Sequence, residues 1–165
     1  MKHLSAQPQR TRKHVHRILV PVNFSDASIQ AVEYAARLSR PLGATLTLLH
    51  VVDVDQFKAA GAELRDELLK EARETAEKKL QGFARLFVGG DIDTETVVGI
   101  GHPVEQILYE IRETGPDMVV MTTRYRKEKR WFWQRDTTGE VLKHASCPVS
   151  VMHDTGTELT DLLFY

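Results

Sequence analysis

Five short apolar runs, each separated from the next by a segment of helical periodicity, constrain this chain more than any other feature. Ile18-Leu19-Val20-Pro21-Val22, Ala44 to Val52, Thr94 to Ile100, Asp117 to Met121 and Pro148 to Met152 are bounded by turn residues and read as strands. A strand followed by a helix and another strand requires a crossover, so the strands run parallel in one sheet with helices on both faces. The expected fold class is therefore a doubly wound, five-stranded parallel α/β domain. The near-continuous Leu and Val of Ala44 to Val52 suit a strand covered on both sides.

The helices have their own punctuation. Ser25 or Asp26 can cap a first helix that carries Ile29, Val32 and Ala36 and stops near Pro41-Leu42-Gly43. Ala62 to Phe87 repeats Leu64, Leu68, Ala72, Ala76, Leu80, Phe83 and Phe87 on one stripe, with Glu71, Glu74 and Glu77 on a solvated face. Gly89-Gly90-Asp91 breaks the chain before the third strand. Pro103 opens a third helix, where its missing N–H costs nothing, and Gly115-Pro116 closes it. A last helical stretch offers Val141, Leu142 and Ala145 as apolar positions. No repeat appears at a solenoid period.

Composition narrows the function classes. With 165 residues the chain suits one domain. Its 22 basic and 23 acidic residues leave a net charge of -1, which argues against a globally basic nucleic-acid binder; no specific nucleic acid is expected. The lone Cys147 can form neither an internal disulfide nor a thiolate metal site. No apolar run approaches the roughly 18 residues of a membrane span, and the basic N-terminus lacks an apolar signal core. A cytoplasmic protein is expected. Residues 1–16 read as a flexible basic tail, 17–153 as the domain, and 154–165 as a C-terminal extension, more a packed appendage than a binding motif.

In an open α/β sheet, ligands sit beyond the carboxyl ends of the strands, where the strand order reverses. Two segments stand out: Pro21-Val22-Asn23-Phe24-Ser25 after the first strand, and Thr122-Thr123-Arg124-Tyr125-Arg126 after the fourth.

Ile18 to Asp26, Leu48-Leu49-His50-Val51-Val52, Gly101-His102-Pro103, Asp117 to Met121 and Val141 to Val149 keep an order and spacing similar to the universal stress protein family, from about Arg17 to His153. The resemblance implies strand order 3-2-1-4-5, an arrangement of the adenine-nucleotide alpha hydrolase-like kind, with strands 1 and 4 adjacent. It also implies a homodimer in which the last strand, Pro148-Val149-Ser150-Val151-Met152, pairs antiparallel with its symmetry mate. Many members of the family bind ATP through a motif after strand 4: Gly-x-x-Gly, nine residues, then Gly-Ser or Gly-Thr.

This chain departs from that motif. Thr122, Tyr125 and Arg135 stand at the three glycine positions and Asp136 at the hydroxyl position. Glycine lets backbone N–H groups approach phosphate oxygens, and bulky side chains crowd that approach. At about 4 Å and an effective dielectric near 20, the Asp136 carboxylate repels one phosphate charge by roughly 4 kcal/mol unless a Mg²⁺ bridges them. Asn23 replaces the Asp frequent in the family, keeping hydrogen-bonding capacity without charge. The expectation is thus a non-enzymatic universal stress protein, without cofactor, acting as a dimer on an unidentified protein partner. The alternative is a nucleotide-binding member with an altered phosphate loop, using Pro21, Val22, Asn23, Val51, Thr122, Thr123, Arg124, Arg126, Arg135 and Thr137, with Mg-ATP disfavoured.

Arg124 to Arg135 also carries six cations, one acid and both tryptophans. Such a mixture can hold anions, but Trp131, Phe132 and Trp133 equally suit core or dimer contacts with the cations as a rim. Seven histidines include no His-x-x-x-His pair, so a zinc hydrolase is not expected. His50 and His102 can both reach the cleft, and each is read first as structural. Ser25 lacks a nucleophile-elbow context, and Cys147 reads as a buried, inert thiol.

Overall fold

The computed structural model describes residues 14–124 and 136–154. The elements follow in the order β1 (Arg17–Pro21), α1 (Asp26–Leu42), β2 (Thr45–Asp53), a 3-10 turn (Val54–Phe57), α2 (Ala62–Phe87), β3 (Thr94–Gly101), α3 (Pro103–Thr114), β4 (Met118–Arg124), α4 (Thr137–His144) and β5 (Val149–Asp154). They form one five-stranded sheet of order β3-β2-β1-β4-β5, and every pair in it is parallel.

Period-two alternation divides the core between the two faces. Ile18, Val20, Leu46, Leu48 and Val120 pack with Ala31, Val32 and Ala35 of α1 and Leu80 and Phe83 of α2. Leu19, Leu49, Val119 and Met121 face the other way, onto Ile107 and Ile111 of α3 and Val141 of α4. α1 starts on Ser25, whose Oγ accepts from Ser28 N, and ends on Gly43 in the left-handed region at φ 61°. Val15 packs against the core, and His16 N donates to Asp117 Oδ2 at 2.8 Å, so these two residues of the expected tail are tied to the domain.

Two apolar expectations need correction. α2 has the expected bounds, but only Ala76, Leu80 and Phe83 of its stripe are buried, and Leu64 is 55% exposed. Residues 62–74 of the helix are exposed except Leu68, Leu69 and Ala72, which are half-buried. Leu142 of α4 is likewise exposed. β4 runs three residues beyond its apolar core, because Thr122, Thr123 and Arg124 continue the ladder opposite Met152, His153 and Asp154.

Candidate functional site

The sheet opens where its connectivity reverses. β1 pairs with β2 as far as Pro21, but with β4 only at Ile18 and Leu19. Beyond Leu19 the two strands diverge, and the gap between their carboxyl ends becomes a cleft of about 220 Å³. Leu49, Ile107 and Met121 give it apolar walls; Asn23, Ser28, His50, Thr122, Thr137 and Thr138 supply the polar ones. Of the residues expected from the sequence, Pro21, Val22, Asn23, Val51, Thr122 and Thr137 all line it. Thr123, the next residue along the alternating β4, is not in the lining. The Arg124 backbone closes the ladder with Asp154. Arg126 and Arg135 lie outside the described residues, as does most of the basic-aromatic loop.

A turn of unusual chemistry builds the first wall. Asn23 Oδ1 accepts three hydrogen bonds: from Ser25 N at 3.2 Å, Ser25 Oγ at 2.6 Å and Ser28 Oγ at 2.6 Å. Ser28 Oγ in turn accepts from Asn23 N at 3.0 Å. The backbone donor identifies the amide oxygen, so the Asn23 NH₂ is not part of this knot. The intervening Phe24 sits at φ 60°, a left-handed conformation that costs a bulky residue on the order of 1 kcal/mol. Packing compensates: the Phe24 ring lies 4.4 Å from the His50 ring and 5.7 Å, edge-on, from Phe83, with Lys79 Nζ 4.3 Å from its centroid.

His50 lines the cleft, although its place at the end of an apolar strand suggests a structural histidine first. Its Nδ1 lies 2.8 Å from the Val22 carbonyl, which has only lone pairs to offer, so Nδ1 carries the proton. Burial holds its pKa below the ordinary histidine value; the Val22 carbonyl partly opposes this and Lys79 adds to it. At neutral pH the ring is therefore neutral, with Nε2 as an acceptor.

The opposite wall is the start of α4. Thr138 Oγ1 donates to Thr122 O at 3.0 Å and joins the helix to the end of β4. Asp136 caps the helix: its Oδ1 accepts from Gly139 N at 2.9 Å. A Cβ on Gly139 would collide with the Asp136 carboxylate, so the cap and the glycine belong together. His102 does not line this cleft. It stands at the start of α3, its Nδ1 3.5 Å from Asp55 Oδ1 and 4.0 Å from Asp53 Oδ1.

A parallel doubly wound sheet with a small polar-rimmed crevice between β1 and β4 defines an open α/β domain with its cleft at the reversal of strand order. The chain belongs to the universal stress protein family, whose profile matches residues 14–153. Universal stress protein MJ0531 of Methanocaldococcus jannaschii is 31% identical over 140 residues, covering 82% of this chain and 81% of its own. The solved structure of MJ0577, from the same organism, superposes with a TM-score of 0.73 at 23% identity, covering 86% of this chain and 98% of that one. A universal stress protein from Archaeoglobus fulgidus, solved in complex with dAMP, gives a TM-score of 0.56 at 20% identity, covering 84% and 98%. These structures establish the shared fold.

Proposed function

We propose that this chain is a non-enzymatic regulatory member of its family that acts as a homodimer on a protein partner, and that its cleft is not loaded with Mg-ATP. The observation carrying this reading is the Asp136 cap. A carboxylate already accepts the Gly139 N–H at the start of α4, the helix end that would otherwise attract a phosphate. A phosphate brought to that point would meet an anion in place of a free amide. For the dimer, β5 lies at the margin of the sheet, with Val149 and Met152 packed toward opposite faces, and a second copy pairing there would satisfy its outer edge.

The cleft itself favours a second reading for a smaller ligand. At about 220 Å³ it is below the usual range for drug-sized ligands, and its neutral polar groups suit a nucleoside or nucleoside monophosphate better than a triphosphate. The dAMP bound by the Archaeoglobus relative is a ligand of that size class.

Thermal unfolding with millimolar Mg-ATP tests the main reading. Ligand at 100 times its dissociation constant adds about 2.7 kcal/mol, a shift of roughly 5–10 °C for a domain of this size. The expected result is no shift. A shift of that size, abolished by Arg135→Ala, would show that the altered loop holds phosphate after all. Light scattering should give a dimer at micromolar protein, and a monomer there would refute the β5 argument.

A further inference from the structure

We propose that Asp53, Asp55 and His102 form a binding site for a borderline divalent cation of the Zn²⁺ class, separate from the cleft. The three residues are distant in sequence. Asp53 ends β2, Asp55 lies in the 3-10 turn that follows, and His102 caps the start of α3. The parallel register brings them together, since Asp53 is paired with Gly101, the residue before His102. Gly101 adopts φ 150°, a conformation left to glycine, and a Cβ there would stand 2.8 Å from Gln106 Nε2. The turn that delivers His102 is thus built for glycine.

One ligand atom from each residue falls within 4.8 Å of the other two. Tetrahedral Zn²⁺ with bonds of about 2.0–2.1 Å sets its ligand atoms about 3.3 Å apart. The observed 3.5 Å and 4.0 Å from His102 Nδ1 to the two carboxylates therefore need to close by about 0.2 and 0.7 Å, and the carboxylates must draw together by side-chain rotation as the ion binds. His102 Nδ1 is shielded from solvent and makes no hydrogen bond among the described residues, although it faces both carboxylates. Asp53 Oδ1 accepts from Asp55 N at 3.0 Å, which fixes that carboxylate in place. One imidazole and two carboxylates suit Zn²⁺, Co²⁺ or Ni²⁺ over the all-oxygen preference of Mg²⁺ and Ca²⁺. Lys58 opposes the site: its Nζ lies 2.9 Å from Asp55 Oδ1, but its side chain is 66% exposed and free to swing away.

The competing metal ligands are His14 and His16, whose rings are 6.1 Å apart near the N-terminus. The test therefore uses the full chain and four variants, all checked for unaltered circular dichroism. Zn²⁺ is titrated calorimetrically, and Co²⁺ is followed by its visible absorption. The proposal expects one Zn²⁺ per chain with a dissociation constant of about 10 µM or tighter. His102→Gln and Asp53→Asn should each weaken it at least about tenfold; the Asn keeps the oxygen that Asp55 N requires. Lys58→Ala should tighten it by up to about fivefold, the equivalent of the ~1 kcal/mol of a strong exposed ion pair. The double variant His14→Ala/His16→Ala should leave it unchanged. In the ¹⁵N spectrum Zn²⁺ should move the Nδ1 resonance of His102. Loss of binding in the double variant alone, retention in His102→Gln, or no binding at 100 µM Zn²⁺ (about tenfold above the expected constant) would each overturn the site.

Discussion

Replacing Asn23 by Ala removes the single acceptor that three donors share. Two of them belong to Ser25, which water can reach, so their loss costs about 0.5–1 kcal/mol together. The third is the hydroxyl of Ser28, a residue only 3% exposed, which keeps the backbone N–H of residue 23 as a donor but is left with only the Ser25 hydroxyl, 3.4 Å away, as an acceptor, at a cost of about 1–3 kcal/mol. The total is about 1.5–4 kcal/mol, or about 3–16 °C in melting temperature. Thermal and urea unfolding of Asn23→Ala, Ser28→Ala and the double variant measure it directly. In the double variant no buried hydroxyl is left without a partner, so the two effects should fall short of additivity by about 1 kcal/mol or more. Asn23→Asp keeps the acceptor and adds a negative charge near the start of α1, so it should be neutral or stabilising by about 0.3–1 kcal/mol. Additive single effects, or an Asn23→Ala variant as stable as the parent, would refute the knot as the support of the cleft wall.

The His50 ring gives the domain a sign-specific pH response. Its pKa is lowered on folding, so above the unfolded value, about 6.5, both states are neutral and it contributes no pH dependence. As pH falls below about 6.5 only the unfolded chain takes up the proton, and stability should drop. The slope stays under the one-proton limit of about 1.4 kcal/mol per pH unit, because the ring is partly solvated. Urea midpoints between about pH 6.5 and 5 should show this in the parent and lose it in His50→Gln; equal slopes in both would remove His50 as the cause. In α2, Leu80→Ala should cost about 2–5 kcal/mol in a urea titration, whereas Leu86→Ala, at a position 78% exposed, should stay within about 0.5 kcal/mol. Similar costs at both sites would contradict the burial pattern of the helix.

The alternation of periods made the fold legible, and the residues that misled did so for a physical reason. Leu64 and Leu142 continue a helical stripe, but a stripe records where a helix can bury apolar surface, and a partner layer must exist to cover it. The polar Thr122-Thr123-Arg124 looked like a loop because a sheet margin tolerates polar side chains while its backbone stays paired. At the site, the ends of β1 and β4 were foreseeable from connectivity alone. Ser28 was not, since it reaches the cleft only because Phe24 turns left-handed and folds the first turn of α1 back on Asn23. The charge of Asp136 was readable, but its capping of Gly139 was hidden by the assignment of that position to a phosphate ligand.

The slender anchoring of α4 has a dynamic consequence. The helix is eight residues long and buries only Thr138 and Val141. One buried valine contributes about 1.5–3 kcal/mol, well short of the 5–15 kcal/mol typical of a whole domain. Amide protons of α4 should therefore exchange through partial unfolding while those of β1 and β2 wait for global unfolding. The wall bearing Thr137 and Thr138 is then the cleft's natural door, Asp136 is its latch, and any occupant would announce itself as slowed exchange in that one helix.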